Sequence, residues 1–362
     1  MAMKVECPSC RMISTMGEED RIITSQNGLE LSCPNCNFEL VLELQIGPAK
    51  VDQASPSGDP PEDQLKGSGS SPIYSQTRSA IAARKAKILR GLVNLPPMPH
   101  IILKAREIIA DPESSIKDLA DIIGTDQALV AKVLALANSA YYGVSGMVSS
   151  IQHASVLLGQ KTLVQLITIS ASSALLNKKL KSYQMAPDEM WKHSLACAFA
   201  ARRICERNHP DLAEDAFVAG LLHDAGKIIL DPYLESHKEE LDRLGRQMDR
   251  PFFEAEKAII GFDHAEIMAR ACRLWRFPEA QSDAIRFHHS PHDSENHQLA
   301  HVIHTADILV KSGGYAAGAP CQITDIGQDI LGFLNIDLKD LDTIAIAVLD
   351  DVQKIEEELR ET

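Results

Sequence analysis

The sequence is poor in aromatic residues, which make up 5% of its 362 positions, and it has no long uninterrupted hydrophobic run. A membrane-spanning helix needs about 20 mostly apolar residues, so none is expected. The first ten residues, MAMKVECPSC, lack the apolar stretch of a secretory signal peptide. We therefore expect a cytoplasmic protein with no membrane partner, whose cysteines are reduced thiols or metal ligands rather than disulfides.

Positive charge is also scarce, since 36 Lys and Arg residues stand against 50 Asp and Glu residues and the formal net charge is −14. That balance does not favour general binding to nucleic acid or to an anionic membrane, because both attract basic proteins. The hydrophobic fraction of 45% is ordinary for a globular protein. The chain is long enough for two or three domains with a sizeable core.

Four of the eight cysteines form two CxxC pairs near the start of the sequence, Cys7 with Cys10 and Cys33 with Cys36. Each pair can direct two thiolates at one ion, and two pairs complete a tetrahedral shell of four thiolates. The segments RIIT, LEL and FELVLEL alternate between apolar and polar residues, which indicates short strands. We predict a small β zinc ribbon over residues 3–46, with a structural zinc and a role in protein contact.

Residues 47–75 are rich in Pro, Gly, Ser and Asp and nearly devoid of large apolar residues, which is typical of a disordered linker. From residue 76 onward, apolar residues recur at helical spacing and no convincing strand is visible. The fold class expected for residues 76–362 is all-α, with two helical subdomains that meet near residues 180–187. The predicted helices cover residues 78–93, 99–111, 114–126, 127–143, 149–160, 161–177, 188–208, 213–222, 235–248, 251–260, 263–276, 278–288, 296–312 and 338–359.

The sequence GLLHDAGK at residues 220–227 places an imidazole beside a carboxylate, His223 and Asp224, at the end of an apolar segment. Burial of two such groups is costly unless something pairs with them. Imidazoles and carboxylates together are ligands that suit Fe, Mn, Zn or Ni. The structural alternative is a buried pair that caps helices and holds no ion.

Six segments of the helical region read LPPMP, TDQALVAKVLALANSAYYG, SSIQHASVLLGQKTLVQLI, WKHSLACAFAARRI, AFVAGLLHDAGKIIL and FHHSP. Together they resemble the HDOD domain, a signalling-associated relative of the HD phosphohydrolase superfamily. The resemblance covers about residues 90–312, and the helices of residues 313–362 are expected to belong to the same domain. It implies a bacterial regulatory or scaffold module, mostly non-enzymatic, whose partners are signalling proteins.

The HD superfamily binds metals through a His, an HD pair, further His residues and a late Asp, and the resemblance implies the same set here. In the superfamily the Asp of the pair can bridge two ions, and a lysine at the position of Lys227 can face a phosphate. One or two divalent ions (Fe, Mn, Zn or Ni) would suit this set. The matching positions are His193, His223, Asp224, His264, His288, His289 and Asp307.

Other residues of these types have a structural interpretation. His304 shares helical spacing with Asp307 and could compete with an assigned ligand. Cysteines without paired spacing are expected to be buried thiols. They are Cys197, Cys205, Cys272 and Cys321.

Three functions stay open, and we favour a non-catalytic regulatory module that binds metal. The second is a metal-dependent phosphohydrolase acting on a nucleotide or phosphoester. The segment after the double His lacks the GYP signature of cyclic di-GMP phosphodiesterases, which argues against that substrate. The third is a helix-turn-helix DNA binder at residues 114–139, whose second helix carries only Lys132 among apolar residues and so does not suit base readout.

Overall fold

The computed structural model describes five short strands before residue 43 and then most of the chain from residue 72. The chain divides into two compact units, Met1–Ser71 and Pro72–Thr362. The predicted zinc ligands Cys7, Cys10, Cys33 and Cys36 lie outside the described residues, as does the predicted linker up to residue 71. Beyond the strands, the described ranges are 72–93, 100–110, 115–144, 146–247, 251–294, 297–315 and 321–360.

The first unit contains two antiparallel sheets. In the first sheet, β1 (Met3–Glu6) pairs with β2 (Ile13–Met16), with Met3 opposite Met16. The second sheet has the strand order β3-β4-β5, with Thr24 opposite Leu29 and Leu29 opposite Leu42. The alternation of apolar and polar residues predicted strands close to β3, β4 and β5, whereas β1 and β2 were not predicted. The second-sheet strands are β3 (Ile23–Ser25), β4 (Gly28–Ser32) and β5 (Glu39–Leu42).

The second unit is all-α in its described residues, apart from an isolated bridge between Leu180 and Met185, so the predicted fold class is confirmed. None of the described helices combines the length and apolar character that crossing a membrane requires. The helices are α1 (Pro72–Val93), α2 (His100–Ala110), α3 (Ile116–Ile123), α4 (Gln127–Ala137), α5 (Ile151–Leu158), α6 (Gln160–Leu176), α7 (Pro187–Asn208), α8 (Ala213–Leu222), α9 (Gly226–Leu234), α10 (Lys238–Asp242), α11 (Phe252–Ile260), α12 (His264–Leu274), α13 (Glu279–Arg286), α14 (Gln298–Ser312), α15 (Gln328–Leu334) and α16 (Leu338–Arg360).

Two of these helices were missed from the sequence, and one predicted helix is interrupted. The missed helices are α9, which contains Pro232, and the short α15. Proline lacks the backbone donor of a helix interior, so a run that contains one is a poor helix signal. The helix predicted for residues 235–248 is divided into a 3-10 turn, the five-residue α10 and a π-helical turn at Arg243–Gln247.

One continuous hydrophobic core runs through the second unit, from Ile88 in α1 to Ile355 in α16. The helices on both sides of residues 180–187 contribute to it, so the two predicted subdomains share one core. Helix α8 lies at its centre, because all residues from Ala216 to Leu222 are buried. A helix that is apolar on every side can only be stable inside a core. The chain therefore leaves α8 at His223 in the interior of the protein.

The pair predicted as an alternative helix-turn-helix consists of α3 and α4. Helix α4 packs against α5, α6 and α16 and buries Leu129, Val133 and Leu136. Its lysine, Lys132, lies with Nζ 3.5 Å from Ser173 Oγ on α6. A recognition helix must present hydrogen-bond donors to a DNA groove. The packing of α4 does not favour that role.

Candidate metal centre

Two glycines bring backbones into contact on either side of the His223–Asp224 pair. A Cβ atom at Gly220 would lie 2.8 Å from the carbonyl oxygen of Cys197 in α7. A Cβ atom at Gly226 would lie 1.9 Å from the carbonyl oxygen of His264 in α12. Only glycine permits such an approach. The GLLHDAGK sequence thus lets α8 pack on α7 and α9 pack on α12, and it places the pair between them.

The first ligand group consists of His193, His223, Asp224 and Asp307. His193 Nε2 lies 3.3 Å from His223 Nε2, 3.4 Å from Asp224 Oδ2 and 3.3 Å from Asp307 Oδ1. His223 Nε2 lies 3.7 Å and 3.6 Å from the same two carboxylate oxygens. A tetrahedral ion bound at about 2.0–2.2 Å needs ligand atoms about 3.3–3.6 Å apart. Four of these five spacings lie within that range and the fifth, 3.7 Å, lies just above it, so the group is close to what one tetrahedral ion requires.

The second ligand group consists of His264, His288 and His289, whose ligand atoms lie within 4.8 Å of one another. His264 Nε2 is 2.9 Å from His289 Nε2 and 2.9 Å from Asp224 Oδ1. The Asp224 carboxylate therefore turns Oδ2 toward the first group and Oδ1 toward the second. A carboxylate in this position can bridge two ions.

Three histidines are oriented by backbone carbonyls on their outer side. A carbonyl oxygen only accepts hydrogen bonds, so the Nδ1 atom that faces it must carry the proton. When such a ring is neutral, it presents an unprotonated Nε2 to the cluster, the arrangement usual for metal-binding imidazoles. The donor and acceptor pairs are His193 with Tyr315 (2.8 Å), His223 with Gly220 (2.7 Å) and His288 with Ile285 (2.7 Å).

His264 is oriented by Glu256, a fully buried carboxylate on α11. Glu256 Oε2 accepts hydrogen bonds from His264 Nδ1 (2.8 Å) and from the His264 backbone N–H (2.7 Å). The second bond satisfies an otherwise unpaired donor in the first turn of α12. Asp263 caps the same helix by accepting from the Glu266 N–H. The position of His264 is therefore fixed by both its ring and its backbone.

Three buried polar atoms in the cluster have no hydrogen-bond partner within the described part of the chain: Asp224 Oδ1, Asp307 Oδ1 and His288 Nε2. The approach of His264 Nε2 to Asp224 Oδ1 is short but does not have hydrogen-bond geometry. Buried polar atoms are nearly always paired. All three are acceptors within the two ligand groups, so one or two bound cations would satisfy them. This donor set fits a metal.

Two lysines neutralise the cluster's carboxylates. Lys227 Nζ is 2.6 Å from Asp224 Oδ2, and Lys311 Nζ is 2.6 Å from Asp307 Oδ2. Burial alone would raise the carboxyl pKa of both aspartates, but the adjacent ammonium groups hold each pKa well below its usual range. Both carboxylates are therefore ionised and available to a cation.

The histidines differ in protonation. Burial, together with neighbouring imidazoles, holds the pKa values of His288 and His289 well below the usual range, which keeps these rings neutral. Burial also lowers the pKa of His264, but Glu256 and Asp224 outweigh it and raise that pKa to about 9. A metal at the second group would therefore replace a proton on His264.

All seven ligands predicted from the sequence lie in this one cluster. His288 and His289 lie one residue beyond the end of α13, where the chain turns and both rings can face inward. His304 is absent from the groups of residues whose ligand atoms lie together, and its Nδ1 atom donates to the His288 carbonyl oxygen (2.7 Å). Lys227, which the family resemblance places at a phosphate contact, instead forms an ion pair with Asp224.

Sequence reasoning missed three groups that contact the cluster, Glu256, Lys311 and Cys197. Cys197 is buried as predicted, but its Sγ atom lies 3.7 Å from His193 Nε2. Its position four residues after His193 on α7 was a usable signal, because such residues share a helix face. Cys205 and Cys272 are buried as predicted, whereas Cys321 is only partly buried.

A family model described as the HDOD domain matches residues 95–291. A curated Treponema pallidum (strain Nichols) protein, described as uncharacterized, is 25% identical over 215 residues. That match covers 59% of this chain and only 41% of the relative, so the chain spans less than half of the relative's length.

Three solved structures share the fold. A Geobacter sulfurreducens HDOD domain protein of unknown function has 23% identity and a TM-score of 0.63, over 78% of this chain and 99% of that one. A candidate signal transduction protein from Marinobacter aquaeolei VT8 has 23% identity and a TM-score of 0.61, over 78% and 65%. A candidate metal-dependent phosphohydrolase from Shewanella amazonensis SB2B has 20% identity and a TM-score of 0.52, over 78% and 99%.

Proposed function

This chain belongs to the HDOD family, and on that premise we propose that residues 76–362 form a signal-transduction module that binds other signalling proteins. The His/Asp cluster holds one or two divalent ions of Fe, Mn, Zn or Ni, and these ions organise the core rather than turn over a substrate. The name of the Marinobacter aquaeolei structure, a candidate signal transduction protein, agrees with this proposal.

The position of Lys227 is the observation that carries the non-catalytic assignment. A phosphoryl-transfer site needs cations directed at the substrate phosphate. Lys227 is instead 3% exposed, and its Nζ atom lies 2.6 Å from Asp224 Oδ2. Its charge therefore stabilises a ligand carboxylate inside the core. Six of the seven candidate ligands are equally buried, with His223, Asp224 and His288 at 0% exposure, and His289 is partly buried.

A metal analysis of the full-length protein tests the metal site. We expect metal in excess of the ribbon zinc in the wild-type protein, and its loss in His223→Ala, because His223 Nε2 faces both carboxylates of the first ligand group. His292→Ala is the matched control, since His292 is exposed and pairs with Asp329 on the surface. Wild-type protein without the excess metal would refute the proposed site.

The second candidate function is a metal-dependent phosphohydrolase, the description of the Shewanella amazonensis structure. Asp224 favours it, because one carboxylate that faces two ligand groups is suited to a two-ion site that generates hydroxide. The same wild-type and His223→Ala proteins separate the candidates on a panel of nucleotides and phosphoesters. We expect phosphate release at the background rate from both. Release by the wild type that His223→Ala abolishes would establish the hydrolase instead.

For the first unit we propose a zinc ribbon at residues 3–46, joined to the HDOD domain by a linker at residues 47–75. The support is the paired CxxC spacing, which provides four thiolates for one zinc. In Cys7→Ser or Cys33→Ser we expect the loss of one zinc and unfolding of the ribbon only, because so small a unit depends on its metal. Unchanged zinc content in either variant would exclude the four-thiolate site, and an unchanged main thermal transition is the control for the helical domain.

A further inference from the structure

We propose that Cys197 donates a thiolate to the ion held by the first ligand group and so selects thiophilic metals such as Zn²⁺, Fe²⁺ or Co²⁺ over Mn²⁺ and Mg²⁺. The inference rests on the proposed function in one respect, since it requires that this group hold an ion. It makes the sulfur the fourth ligand beside His193, His223 and Asp307, in a set that otherwise contains only imidazoles and a carboxylate.

The geometry of α7 places the sulfur beside the ligands. Cys197 Sγ is 3.7 Å from His193 Nε2, one helical turn earlier. A tetrahedral ion bound at about 2.3 Å to sulfur and about 2.0–2.1 Å to nitrogen holds those two atoms about 3.5–3.6 Å apart, close to this spacing. The sulfur also lies within 4.8 Å of the ligand atoms of His223 and Asp307. One ion can therefore reach all four side chains.

An independent observation points to a ligand at the same place. Asp307 Oδ1, which faces His193 and His223, is buried and has no hydrogen-bond partner among the described residues. Asp307 as a whole is 4% exposed, so bulk solvent does not reach this oxygen. An ion bound by Cys197, His193 and His223 would meet this oxygen. The cysteine is thus part of a cluster with an unfilled acceptor.

Coordination by sulfur has a chemical consequence for the choice of metal. The thiolate is the ligand form, so the thiol proton leaves to solvent as the sulfur–metal bond forms. Thiolates favour zinc and related ions, whereas Mn²⁺ and Mg²⁺ prefer oxygen ligands. Without Cys197 the site keeps His193, His223 and the carboxylates, so it still binds metal but discriminates less.

Cobalt spectroscopy of the full-length protein tests this assignment. Co²⁺ bound to a thiolate shows a near-ultraviolet sulfur-to-cobalt charge-transfer band. The contribution of the ribbon cysteines cancels when the spectrum of one full-length protein is subtracted from that of another. We expect this band in the difference between wild type and Cys197→Ser. We expect none in the difference between wild type and Cys205→Ser, because Cys205 is an equally buried thiol two turns along α7 outside the cluster. The preference for Zn²⁺ over Mn²⁺ should fall about tenfold or more in Cys197→Ser.

The outcomes separate the two proposals. Suppose that the wild type binds more cobalt than the ribbon holds, but the difference spectrum between wild type and Cys197→Ser lacks the band. The sulfur assignment is then wrong and the metal site stands. If the wild type binds no such cobalt, the metal site itself is wrong. Should Cys197→Ser fail to fold, the difference between wild type and His223→Ala decides, since loss of the ion must also remove the sulfur band. Absence of the band there overturns the assignment.

Discussion

Replacement of Gly226 by alanine is expected to lower the free energy of unfolding by about 3 kcal/mol or more. The added Cβ atom would lie 1.9 Å from the His264 carbonyl oxygen and 2.7 Å from its carbonyl carbon. Backbone atoms cannot rotate aside as a flexible side chain can, so α9 and α12 must separate. The separation also moves His264 away from Asp224, so the second ligand group should lose its metal.

The measurement is denaturant unfolding followed by circular dichroism, with metal content determined on the same samples. Gly332→Ala in α15 is the matched control, because nothing lies within 4 Å of its added Cβ atom. Alanine is the better helix former by about 0.5–1 kcal/mol, so this control should be neutral or slightly stabilised. Equal stability of Gly226→Ala and wild type would contradict the backbone contact between α9 and α12.

Substitution of Asp307 by asparagine is expected to destabilise the metal-free protein by about 3–5 kcal/mol and to remove metal from the first ligand group. The change keeps the shape of the side chain but leaves the Lys311 ammonium, now 2.6 Å from a carboxylate oxygen, without a counter-charge. Unfolding in the presence of a chelator measures the charge effect alone. A metal titration then measures the loss of the ligand.

Two further variants separate these effects. Asp307→Asn combined with Lys311→Met should recover part of the stability, because the buried charge is gone, yet should still bind no metal at the first group. Asp350 and Lys354 in α16 have the same spacing, but Asp350 is exposed and Lys354 only partly buried, so Asp350→Asn should change stability little. A double variant no more stable than Asp307→Asn would show that the buried ion pair is not the cause.

The sequence was sufficient to predict the helical fold and to select candidate ligands that lie together in the structure, for different reasons. Helical periodicity predicted most helices of the second unit, because amphipathic patterns reflect burial directly. His223 and Asp224 are adjacent in a recognisable motif, and the remaining ligands followed from the HDOD resemblance. Pro232 concealed α9, because local propensity argued against a helix that tertiary packing maintains.

Groups that support the ligands could not be found in the same way. Glu256 contacts His264 across the junction of α11 and α12, and nothing in the eight-residue separation identifies that pair. The pairing of Lys311 with Asp307 could have been predicted from the sequence, since the two residues lie four positions apart on one helix. The unequal roles of Gly226 and Gly332 also depend on neighbours that only the folded chain brings together.

The first ligand group takes its members from positions 193, 223, 224 and 307, which are close only when α7, α8 and α14 are packed. An unfolded chain has no such arrangement, so an ion held there binds the native state alone. By mass action, free metal at 100 times its dissociation constant would add about 2.7 kcal/mol to the free energy of unfolding. The proposed metal site therefore predicts a thermal midpoint that rises with the concentration of free metal.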